Sequence, residues 1–145
     1  MKKYKLNFEL VPDACWNSNL RSVLRPKDWD TVRQDAYARA NGKCMICNRS
    51  VKRLEAHEVW EYDEKGGIQK LSDVIAVCHN CHSVIHIGRT QLLGDEEKAA
   101  RWFMYVNKCT YTDYIHALNE ANLIHRRRNL VPEWQLDVSW LSRFE

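Results

Sequence analysis

At 145 residues and 45% apolar content, the chain can bury the core of one domain, which excludes both a disordered tail and a mini-protein that needs cross-links to fold. A formal net charge of +3 with a pI near 8.5 permits a polyanionic partner without requiring one. No apolar run follows Met1-Lys2-Lys3 and no later stretch approaches the ~18 apolar residues of a membrane span, so the expected protein is cytoplasmic, with no membrane partner.

Taken in chain order, the first pattern is an alternation. Tyr4, Leu6, Phe8 and Leu10 are spaced by Lys5, Asn7 and Glu9, the period of two that predicts a half-buried strand. Leu136, Val138 and Trp140 repeat that period near the other end, and the two terminal strands are expected to pair or share a small sheet. Pro26 to Ala40 reads as a helix, with proline in the first turn, Asp28 and Asp30 early, and Trp29, Val32, Ala36 and Ala40 roughly on one face. Asn41-Gly42 stops it, Gly42 suiting a left-handed residue just past a helix end.

Arg53 to Trp60 reads as a strand, Asp63 to Gly67 as a turn, Ile68 to Val77 as a second strand, and Cys81 to Ile87 as a short helix ending at Gly88. Farther on, Asp95 is expected to cap a helix reaching about Asn107, and Thr110 or Thr112 another running to Arg128. The fold class is therefore α+β, in one domain spanning 1–145.

The strand, strand, helix unit carries the chemistry. Cys44 and Cys47, with Cys78 and Cys81, form two pairs at two-residue spacing, which in a reducing compartment marks metal ligands rather than disulfides. Four thiolates match the closed tetrahedral coordination of structural zinc. Cys15 and Cys109 are left over and are expected to pack. A four-thiolate site keeps no open position, so any catalysis must lie elsewhere.

His82 and His86 are four apart on the expected helix and share a face, and His57 comes from the facing strand. Such a set can bind a second cation and leave positions for water and a phosphate oxygen. Arg49, Lys52 and Arg53 precede the His57 strand, which makes phosphate contact a natural role for them. Arg126-Arg127-Arg128 reads as a solvated helix end.

The run Cys-x2-Cys, Leu-Glu-Ala-His-Glu, a Gly-Gly turn, then an apolar strand into Cys-x2-Cys-His-x3-His resembles the HNH endonucleases, the ββα-metal (His-Me finger) nucleases. The resemblance covers 43–88, leaving 1–42 and 89–145 as flanking helical and strand arms. It implies a ββα-metal core, one catalytic divalent cation (Mg2+, Mn2+, Ni2+ or Zn2+) bound by His82 and His86, and hydrolysis of a phosphodiester bond in nucleic acid, double-stranded DNA being the first expectation.

The family's first motif is usually Asp-His or His-His, a ligand followed by a general base, where this chain has Ala56-His57-Glu58. Aligned without a gap, His57 is the ligand and Glu58 the base; if His57 is the base, Ala56 stands in the ligand position. The resemblance gives Asp73, in place of the family's asparagine, the role of orienting the base, and Lys52, Arg53 and Arg89 could hold flanking phosphates. A double-strand cutter of this size would be expected to form a homodimer. The competing expectation is a zinc-stabilised module with a degenerate nuclease site that binds nucleic acid without cutting it.

Overall fold

The structure, a computed structural model, describes residues 4–145. After a 3-10 turn at Asp13–Cys15 come helices α1 (Leu20–Val23) and α2 (Pro26–Ala40), the hairpin β1 (Glu55–Asp63) and β2 (Ile68–Val77), and helices α3 (His79–Ile85) and α4 (Ile87–Leu92). Helices α5 (Glu96–Asn107) and α6 (Tyr111–Arg128), strand β3 (Gln135–Asp137) and a 3-10 helix at Ser139–Phe144 complete it. The class is α+β, as expected.

The hairpin divides the molecule. On one face Ile75 and Val77 pack toward Val84, Phe103 and Tyr114; on the other Val74 and Ala76 pack toward Leu20, Val32 and Ala36. Strand alternation produces this split, and a bulge opposite Val59/Trp60 adjusts it so that Leu71 also joins the second core. The Ser72 hydroxyl closes the bulge by donating to the Val59 carbonyl at 3.1 Å. Gly67, with a φ of +65°, sits where a Cβ would fall 2.7 Å from the Glu133 carbonyl, so a side chain there would push β3 off the hairpin.

Helix α2 spans the residues expected of it, and its stop is shared: Asn41 (φ 51°) and Gly42 (φ 79°) both take the left-handed conformation. Thr110, the first of two candidates, caps α6 in a reciprocal capping box with Asp113. Asp95 occupies the N-cap of α5 without a side-chain bond.

Two expectations need correction. The alternating residues 4–10 do not form a strand and do not pair with the C-terminal one; β3 instead lies parallel to β2, in the order β1-β2-β3. The apolar face of 4–10 is real but packs on helices, with the Phe8 ring stacked 4.9 Å from Phe103. Its backbone bonds are met without a ladder, because the Asn107 side chain takes both Leu6 groups at 2.9 Å and the Glu9 N–H donates to the Ile85 carbonyl at 2.8 Å. The helix after the second cysteine pair is also not ended by Gly88. It breaks at His86 and resumes as α4 straight through the glycine, the Thr90 hydroxyl bonding the Ser83 and His86 carbonyls at the break.

Candidate metal centre and nucleic-acid interface

The two cysteine pairs meet where the α2–β1 connection approaches the start of α3. Cys44, Cys47, Cys78 and Cys81 bring their sulfurs within 4.8 Å of one another. A tetrahedral site with metal–sulfur bonds of about 2.3 Å has sulfur–sulfur edges of about 3.8 Å, and the Cys47 and Cys78 sulfurs are 3.8 Å apart. Amide donors point at the sulfurs in each knuckle, Ile46 N–H to Cys44 at 3.4 Å and Cys81 N–H to Cys78 at 3.4 Å. The Trp102 indole donates to the Cys81 sulfur at 3.2 Å, and Arg49 lies over the Trp102 ring at 5.2 Å.

The electrostatics of the four thiols fit a cation. The Cys81 thiol and nearby amides draw the Cys44 thiol down to about 4, while burial pushes Cys78 up to about 11, and the neighbouring Cys44 followed by burial pushes Cys81 up too. One negative charge is welcome there and further ones repel it, which is the problem a bound divalent ion removes. This cluster can therefore hold a structural metal ion.

The histidines form a second group. His57 on β1, His82 on α3 and His86 at the break before α4 place ligand atoms within 4.8 Å of one another. Ring centroids are 4.7 Å apart for His82 and His86, and 5.4 and 5.2 Å from His57 to each. Burial holds His82 below its usual range, and burial, with repulsion from the other cationic groups close by, pushes His86 down to about 3. Both are neutral at neutral pH, the form that offers a lone pair to a metal.

Two carboxylates set the ring orientations. Glu55 precedes His57 by two residues and so shares its strand face; its oxygens reach His82 Nδ1 at 2.7 Å and His79 Nδ1 at 3.0 Å. Burial works to raise the Glu55 carboxyl, but the hydrogen bonds from His82 and His79 outweigh it and hold it below its usual range. Glu9, from the N-terminal arm, meets His57 Nε2 at 2.8 Å. These carboxylate–imidazole pairs fix which nitrogen carries the proton, leaving His82 Nε2 and His57 Nδ1 to face a ligand.

Sequence reasoning gave neither glutamate a role. The strand spacing of Glu55 was a usable signal; Glu9 carried none, because it arrives through tertiary packing.

Glu58 and Asp73 are not among these residues. Glu58 points to the opposite face of β1, where it accepts the Leu20 N–H at the start of α1 and is raised by burial. Asp73 lies opposite Val59 rather than His57, accepts the Val74 N–H at 2.8 Å and sits 3.7 Å from Arg39. The carboxylate beside His57 is that of Glu9, not Asp73.

A cleft of about 740 Å³ opens beside His82 and His86, lined also by Arg53 and Arg89 and by Arg21 and Arg33. Lys52 is exposed outside that lining. At the far helix end, Arg127 is tied to Glu64 and Arg128 lies over the Tyr62 ring at 4.9 Å, so two of the three terminal arginines have structural partners. No helix among the described residues is long and apolar enough to cross a membrane. No family model, curated protein or solved structure matches the chain.

Proposed function

We propose that this chain is a metal-dependent endonuclease of the HNH type, hydrolysing phosphodiester bonds of nucleic acid, with zinc in the four-cysteine cage and one divalent cation at the histidines. The observation that carries the reading is the convergence of His57, His82 and His86, from a strand and a facing helix, beside an arginine-lined cleft. A bound divalent cation there supplies Lewis-acid stabilisation of phosphate and leaving oxygens and makes water more acidic.

The chain's own residues do the rest. Glu55 and Glu9 hold His82 and His57 in single tautomers, so the lone pairs are aimed before any ligand arrives. The proximity of His57 to His82 and His86 supports it as a ligand, while Glu58, turned to Leu20, is not placed to be the base that this register pairs with it. Arg53 and Arg89 hold the strand by its phosphates, which positions it without reading sequence.

The orientation of Glu58 also favours a second reading, a binding-only module, because no other carboxylate takes the base position of the family motif. Zinc-loaded protein and its His82→Ala and His86→Ala variants, incubated with supercoiled plasmid and magnesium, manganese, nickel or zinc in turn, separate the two. Metal-dependent nicking lost in folded variants is the expected result. Variants that cut like the parent overturn the site; retarded plasmid that no metal causes to be cut moves the assignment to the binding module.

A further inference from the structure

The cleft beside the histidines has a second wall that a metal site alone does not explain. Helix α2 carries Trp29, Arg33 and Tyr37 at intervals of four, which places them on one stripe, and all three line the same cleft as His82 and His86. Trp29 and Tyr37 are half-buried, anchored against the core of Leu20, Val32 and Ala36, so their rings form a fixed surface. Asp30 holds the Arg33 Nε at 2.8 Å between them. Arg21, Arg53 and Arg89 add three more guanidinium groups, and the cleft's two carboxylates, Asp30 and Glu55, are already engaged with Arg33 and with His79 and His82.

Guanidinium groups alone would suit any phosphate chain, paired or not. The aromatic rings are more selective. A base inside a duplex is stacked on both faces by its neighbours, so a ring platform has nothing to offer it; an unpaired base has free π-faces and gains from stacking on one. The cavity, about 740 Å³, falls within the ~300–1,000 Å³ span of small-ligand pockets, the scale of individual nucleotides.

Resting on the nucleic-acid reading above, we infer that the cleft takes an unpaired stretch of nucleic acid, phosphates on Arg33, Arg53 and Arg89 and a base stacked on Trp29 or Tyr37. The preferred substrate is then single-stranded or locally melted, in place of the intact duplex that the sequence suggested.

The test is a binding titration that needs no cleavage. Zinc-loaded protein without added divalent cation is titrated into fluorescein-labelled single-stranded DNA, single-stranded RNA of the same sequence, and the matched DNA duplex, with anisotropy as readout. Single strands are expected to bind at least about 10-fold tighter than duplex; Trp29→Ala lowers the single-strand affinity about 10- to 100-fold and leaves duplex affinity unchanged. Trp29→Phe, which keeps a stacking face, recovers most of the loss and guards against a folding defect in the alanine variant.

The DNA and RNA arms show which sugar is accepted. Equal affinity for strand and duplex, or a Trp29→Ala variant that binds single strands like the parent, overturns the inference. Trp29-dependent strand binding without cleavage by any metal would remove the nuclease and leave this inference standing. Plasmid cleavage with no strand preference would do the reverse.

Discussion

The Glu9 carboxylate lies 2.8 Å from His57 Nε2, although 48 residues separate the two in the chain. A buried imidazole held this way presents a defined tautomer, and such partners typically account for about 10- to 100-fold in metal affinity or activity. Glu9→Gln is therefore expected to lower plasmid cleavage by about that factor. Its melting temperature should stay close to the parent's, because Phe8 and Leu6 still dock the arm. Unchanged cleavage would show that His57 needs no partner.

Glu58 makes the opposite prediction. Its carboxylate receives the Leu20 N–H on the face away from the histidines, so Glu58→Ala should leave cleavage intact and reduce stability by about 1–3 kcal/mol, the usual cost of stranding a buried donor. Denaturant unfolding and a plasmid assay on the same sample check both halves. Loss of cleavage with full stability would restore Glu58 to the base position.

Cys44 lies at the junction of cage and core, packed with Leu6, Val77 and Val84. Cys44→Ser, or a strong chelator, should abolish cooperative unfolding, since structural zinc sites contribute roughly 10–16 kcal/mol of apparent binding free energy that is also folding free energy. Circular dichroism with metal quantitation reads this. A cooperative, metal-free variant would mean that the four sulfurs merely pack.

Arg53 and Arg127 should behave differently although both are exposed cations. Arg53→Gln removes a cleft charge and is expected to weaken binding and lower the salt-dependence slope by about 0.7–0.9 per lost phosphate contact. Arg127→Gln breaks a two-pronged, solvent-screened pair with Glu64, 2.5 and 2.8 Å, and should change neither the slope nor the stability appreciably. Binding measured at several ionic strengths distinguishes them.

What the sequence disclosed was whatever its local spacing encodes. Helix α2, the hairpin with its turn, and the cysteine and histidine clusters all follow from intervals of two, three or four residues, although β1 and α3 run 55–63 and 79–85 where 53–60 and 81–87 were expected. The period of two in residues 4–10 marks one buried face but not a strand, because alternation looks the same whether helices or a neighbouring strand cover it. Glu9, Arg21 and Arg33 reach the site through packing between distant segments, for which a single sequence carries no interval. The break at His86 was equally hidden: it depends on the Thr90 hydroxyl closing the carbonyls of the preceding turn.

The clasp between Leu6 and Asn107 joins positions 101 residues apart. The arm bearing Glu9 is held at two points, by Asn107 of α5 on Leu6 and by the Ile85 carbonyl at the end of α3, which accepts the Glu9 N–H at 2.8 Å. The carboxylate beside His57 is therefore positioned by α3 and α5 together, and a change that loosens either helix would move it.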